Sequence, residues 1–80
     1  MDLSDIQRRL TGVFRDIFAN DSLEINDNTT AADVPGWDSL KHINLILAVE
    51  KAFSIRLTTR EIRSLNNVGE FLRLIERKAA

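Results

Sequence analysis

Residues 36–53 read GWDSLKHINLILAVEKAF, and this stretch decides the fold. Pro35-Gly36 is a chain breaker, and Asp38 or Ser39 follows it as a good helix N-cap. Behind the cap, Leu40, Ile43, Leu45, Ile46, Leu47, Ala48, Val49, Ala52 and Phe53 spread apolar surface over more than one side of a helix. A helix apolar over most of its girth belongs at the centre of a bundle. The spacing predicts a central helix in an all-α protein.

Upstream, residues 20–38 (NDSLEINDNTTAADVPGWD) have no hydrophobic period. A connection longer than about 12–15 residues inside a compact domain is usually functional or disordered. Leu23, Ile25, Val34 and Trp37 punctuate this one, so it is expected to be an ordered loop pinned to the core at those points. Before it, Ser4 and Gln7 have the spacing of a capping box, and Ile6, Leu10, Val13, Phe14, Ile17 and Phe18 form one helical stripe. That helix is expected to fade near Asn20, and Gly12 weakens it by up to about 1 kcal/mol relative to alanine.

Downstream, Ser54–Leu57 reads as a link. Thr58-Thr59-Arg60-Glu61 offers a second capping box, with Ile62 and Leu65 filling a short helix of about two turns. Asn67 and Glu70 cap a final helix whose stripe is Val68, Phe71, Leu72 and Ile75, and Arg77 and Lys78 suit its dipole. The expected fold class is all-α, a small four-helix bundle with a long first loop and a short third helix, forming one domain over residues 1–80.

Eighty residues leave no room for a deep catalytic cleft, because a chain this short buries only roughly 60% of its unfolded surface. There is no cysteine, which removes disulfides, zinc-thiolate sites and thiol nucleophiles. The longest run free of ionisable side chains is Ile43–Val49, far short of the roughly 20 residues that cross a bilayer. The N-terminus lacks the plan of a signal peptide, so a cytoplasmic, monomeric protein is expected, without membrane insertion. The net charge of −1 is split: residues 1–38 carry eight acids and three bases, whereas residues 39–80 carry four acids and eight bases. Such asymmetry bears on partners rather than on fold.

Chemistry-bearing residues are few. His42 lies three residues after Ser39 on one helix face, but a Ser–His hydrolase also needs an orienting third group and an oxyanion hole in a dry pocket. His42 is expected to face solvent. Asp21, Glu24, Asp27 and Asn28 do not match the spacing of a calcium loop, and no metal is expected. Arg56, Arg60, Arg63, Arg73, Arg77 and Lys78 could serve a helix-turn-helix, but a pI of 5.7 and the acidic loop oppose nucleic-acid binding. Ser39, by contrast, occupies the first turn of a helix, where backbone amides and the helix dipole favour an attached phosphate.

Gly36-Trp37-Asp38-Ser39-Leu40, then Ile43, Leu45 and Ile46, then Glu50-Lys51-Ala52-Phe53-Ser54-Ile55-Arg56-Leu57, resemble the acyl carrier protein family, and the likeness runs through all four helices. The resemblance implies that Ser39 is esterified by 4'-phosphopantetheine from coenzyme A. Its thiol would then hold acyl cargo as a thioester, without catalysis by the chain itself. It implies a phosphopantetheinyl transferase and acyl-transferring or acyl-modifying enzymes as partners. Recognition would fall to Asp38, Leu40, Lys41, His42, Ile43 and Ile62. Ile43, Leu57 and Ile62 match the mouth between second and third helices, and Trp37 a variable site that packs the loop end against the bundle.

Fatty-acid carriers place acids along the second helix. Here the matching positions are Lys41, His42, Asn44 and Lys51, with only Glu50 acidic. This departure points to a specialised carrier for a lipid or secondary-metabolite (fatty-acid or polyketide-type) pathway. The alternative is a helical interaction or nucleic-acid-binding module in which Ser39 is only an N-cap.

Overall fold

The computed structural model describes residues 2–79. Among them are four α-helices: α1 (Leu3–Ile17), α2 (Ser39–Phe53), α3 (Thr59–Arg63) and α4 (Val68–Ala79). A single 3-10 turn, Ala31–Asp33, interrupts the first loop, and no strand occurs among the described residues. This is the expected small all-α bundle.

The first helix begins earlier than its expected box. Asp2, not Ser4, is the cap, and its Oδ1 accepts from the Asp5 amide at 2.9 Å. An anionic acceptor at the positive end of the helix dipole outcompetes a hydroxyl two residues further in. α1 also ends sooner, at Ile17, where the Phe18 amide reaches back to the Phe14 carbonyl and Ala19 turns the chain with a φ of 50°. Between these ends Ile6, Leu10 and Phe14 are fully enclosed.

The closest backbone packing joins α1 to α2 and α1 to α4. The helix shared by two neighbours is therefore α1, which corrects the expectation that α2 is central. Leu45, Ile46, Val49 and Phe53 face the core from α2, but Leu40, Ile43 and Leu47 are 67%, 57% and 60% exposed. The apolar girth of α2 thus serves two surfaces, one of them in solvent. From α4 the core receives Val68, Phe71, Leu72 and Ile75, as expected, and also Leu74. Each such side chain contributes about 1.5–3 kcal/mol by leaving water.

The long first loop is ordered. Ile25 and Val34 are buried, Leu23 and Trp37 half-buried. The Arg15 Nε donates to the Leu23 carbonyl at 2.8 Å, and the buried Thr29 Oγ1 accepts from the Asn26 amide at 2.9 Å. The opening amides of α4 are satisfied by this loop: Val68 N donates to the Thr29 carbonyl and Gly69 N to the Asp27 carbonyl, both at 2.9 Å. Glycine is required at 69, since a Cβ there would stand 2.9 Å from the Asp27 oxygen.

α3 is one turn and a half rather than two, and Leu65 lies beyond it, half-buried. Its capping box forms as expected, with Glu61 N on Thr58 Oγ1 at 3.2 Å and Thr58 N on Glu61 Oε1 at 2.9 Å. The Lys78 Nζ meets Glu61 Oε1 at 2.8 Å and so ties α3 to the end of α4. The Lys78 hydrogen bond, then that of the Thr58 amide, hold the Glu61 carboxyl down at about 2. At the start of α4 the cap is shared: Asn67 Oδ1 accepts from the Glu70 amide, while the Glu70 carboxylate turns to the Asn66 amide.

Candidate functional site

Ser39 is the first residue of α2 and is exposed. The cap belongs to its neighbour: Asp38 has extended backbone, and its Oδ1 accepts from the Lys41 amide at 2.9 Å. The serine hydroxyl is therefore not spent on ending the helix. It sits where first-turn amides and the helix dipole favour an anion.

Immediately before it, Trp37 is wedged between the loop and the bundle. Its ring stands edge-on to Phe14 at 5.3 Å between centroids and lies 6.0 Å from Phe18. Such pairs are worth about 0.5–1.5 kcal/mol beyond the area they bury. The Trp37 Nε1 donates to His42 Nδ1 at 3.1 Å. An indole N–H is only a donor, so His42 Nδ1 accepts, and the proton of the neutral ring is on Nε2. The expected solvent-facing histidine is instead half-buried beside Trp37, because the loop path brings the indole over the first turn of α2.

Lys41 is also occupied. Its Nζ donates to the Ile17 carbonyl at 3.1 Å, satisfying a carbonyl at the C-terminal end of α1, where a cation is favoured. Glu50 accepts from the Leu57 amide at 2.8 Å and is half-buried, so this carboxylate closes the turn after α2.

A cleft of about 690 Å³ opens between the start of α2 and the α3–α4 connection. Ser39, Asp38, His42, Ile43 and Trp37 line one wall; Arg63, Leu65, Asn66, Asn67 and Phe71 line the other. The structure thus brings Asp38, Ser39, His42 and Ile43 together. Leu40 stays outside in solvent, and Leu57 and Ile62 pack half-buried against the core rather than lining the cleft. Arg63, Asn66, Asn67 and Phe71 were not singled out as cleft residues by sequence, because their approach to Ser39 depends on how the α3–α4 connection folds back. Phe71 carried a signal as part of the α4 stripe and Asn67 as the cap of that helix, but neither pointed to the cleft.

An exposed, uncommitted hydroxyl on the rim of a cleft fits a prosthetic arm attached by a phosphodiester. The helix terminus suits the phosphate, and apolar Ile43, Leu65 and Phe71 beside amide-bearing Asn66 and Asn67 suit a chain of alternating polar and apolar groups. The residues that could hold such a group are therefore present. Among the described residues, no group of three or more His, Cys, Asp or Glu side chains is placed to hold a metal ion. No helix among them is long and apolar enough to cross a membrane.

This geometry suits a covalent carrier, and the comparisons with known proteins agree. The sequence model of the family described as "Phosphopantetheine attachment site" matches residues 8–75. The chain is 27% identical to the acyl carrier protein of Sinorhizobium fredii and to the acyl carrier protein AcpP of Rhizobium meliloti, over 98% of this chain and 100% of each relative. Its fold is similar to the solution structure of the holo acyl carrier protein from Geobacter metallireducens, with a TM-score of 0.85 and 38% identity, covering 90% of this chain and 83% of that one.

The chain belongs to the acyl carrier protein family. It is a carrier, not an enzyme, and its cofactor is covalent 4'-phosphopantetheine. Membership implies a phosphopantetheinyl transferase and acyl-handling enzymes as partners.

Proposed function

We propose that Ser39 is the attachment point and that the chain serves a specialised lipid or secondary-metabolite pathway, presenting acyl intermediates as thioesters to successive enzymes. The observation that carries the attachment site is the division of labour at the start of α2. Asp38 takes the cap, and Ser39 keeps an exposed hydroxyl on the rim of the cleft. Had Ser39 been the cap, a plain interaction module would explain it equally well.

The arm supplies the thiol that this cysteine-free chain lacks. Everything else falls to the chain. The helix terminus stabilises the phosphodiester on Ser39, Trp37 and His42 hold the loop end beside it, and the cleft offers shelter between encounters. One chain contains serine and cleft together, so a monomer suffices. Coenzyme A as arm donor supports a cytoplasmic site of modification. Specialisation is supported by α2: Lys41, His42, Asn44 and Lys51 stand where fatty-acid carriers have acids, and complementary charge sets which partners are met and which rejected.

The test is intact mass after incubation with coenzyme A, magnesium and a broad-specificity phosphopantetheinyl transferase. Wild type is expected to gain one phosphopantetheine and Ser39→Ala none. Gain of mass by the variant would place the arm elsewhere. Rapid acyl transfer by fatty-acid synthases, equal to that of a fatty-acid carrier, would remove the specialised role and leave the carrier intact.

A further inference from the structure

Between Ser39 and Asn67 the chain has five bases and two acids. Folding pairs one of the acids, Glu61, with Lys78 at 2.8 Å, and turns the other, the half-buried Glu50, onto the Leu57 amide at 2.8 Å, where it keeps its charge but faces the turn after α2. It also withdraws Lys41, whose amine is on the Ile17 carbonyl. What remains is an apolar stripe, Leu40, Ile43 and Leu47, each more than half exposed and spaced to share one side of α2. Lys51 continues that stripe one turn on. Across the cleft from Ile43 stands Arg63, with Arg60 one turn before it on the same side of α3. None of the ion pairs among the described residues uses Lys51, Arg60 or Arg63.

The acidic loop is turned mostly elsewhere, with Asp33 accepting from the Thr30 amide at 3.0 Å. Its Glu24 lies 3.8 Å from Arg15 of α1, and Asp27 lies 3.8 Å from Arg73 of α4, both directed to other elements. Asp38 keeps a carboxylate at the near end, but it is bound to the Lys41 amide.

We infer that the recognition face of α2 and α3 is suited, in this chain, to a protein partner whose own surface is an apolar patch with an acidic rim. Exposed apolar residues flanked by unpaired cations at the Lys51 end and on α3 fit such a partner and disfavour one with a basic rim. An anionic lipid surface is less well matched, because the stripe flanks a concave cleft instead of forming a convex, continuous apolar face. The inference rests on Ser39 being the loaded residue, since it is the cargo at Ser39 that this surface delivers.

The probe is a phosphopantetheinyl transferase with a basic carrier-facing surface, compared with the same enzyme carrying glutamates there. Loading is followed by intact mass, and folding of every variant by circular dichroism. The acidic form is expected to load wild-type protein with a kcat/KM higher by about tenfold or more, an advantage that shrinks as salt is raised. Lys51→Glu/Arg60→Glu/Arg63→Glu is expected to reverse the preference, and Arg63→Gln alone to reduce it. Equal or faster loading of wild type by the basic form overturns the inference while leaving Ser39 in place. No mass gain with any transferase removes the Ser39 reading and the inference together. Salt-sensitive sedimentation with phosphatidylglycerol vesicles, lost in the triple variant, would assign the surface to lipid and overturn it too.

Discussion

The bond from the Trp37 Nε1 to the His42 Nδ1 joins the last residues of the loop to the first turn of α2, on either side of Ser39. Removing the imidazole leaves a half-buried indole N–H without its acceptor. His42→Ala is expected to lower stability by about 1 kcal/mol in urea unfolding, with His42→Gln recovering part of the loss through its amide oxygen. A loss within error of zero in His42→Ala would mean that water replaces the ring at no cost. At this scale the sequence was legible for Ser39, whose place after a breaker and ahead of an apolar run follows from local chemistry. It was not legible for His42 or Lys41. Their partners, Trp37 and the Ile17 carbonyl, are fixed by the path of a loop without periodicity.

The first loop owes its order to an element far along the chain. Two loop carbonyls accept from the opening amides of α4, and Gly69 lets the two backbone segments approach that closely. Gly69→Ala is expected to destabilise the fold by roughly 1–3 kcal/mol, despite alanine's better helix propensity, with the largest chemical-shift changes at Asp27–Thr29. Stabilisation instead would mean that the loop yields at little cost. The four helices and the α3 box could be read from stripes and caps, since both depend on neighbours within a turn or so. The start of α1 could not, because Asp2 with Asp5 and Ser4 with Gln7 are competing signals two residues apart. Nor could the place of α2: nine apolar residues mark a helix as buried only if no partner has use for them, and four of these, Leu40, Ile43, Leu47 and Ala52, are in solvent.

Taken as a whole molecule, α3 is a small piece held by few ties. It has no fully buried residue, and Glu61 serves it twice, as its box and as its link to Lys78. That carboxyl titrates at about 2 in the fold, below the ordinary 4.5. A lowered carboxyl contributes stability above the ordinary value and loses that contribution as pH falls towards the folded one. Acidification from pH 4.5 to about 2 is therefore expected to loosen α3 from α4, seen as lower protection against amide exchange over Thr59–Arg63 relative to the intrinsic rate at each pH. Glu61→Gln should already exchange faster at neutral pH and show a weaker acid response. An unchanged acid response in the variant would assign the effect to other carboxyls. The uneven charge along the sequence foreshadowed a polar division of the folded surface, but not which charges the fold would spend on itself.

Trp37 is the one tryptophan of the chain, and it lines the same cleft as Ser39 while resting against the aromatic rings of α1. The protein consequently has a built-in optical gauge at the cleft that the proposed function gives to the cargo. Whatever enters the cleft displaces water from the indole, and whatever departs to an enzyme lets water return. Occupancy can be followed as the colour of a single natural fluorophore, in real time and on unlabelled protein.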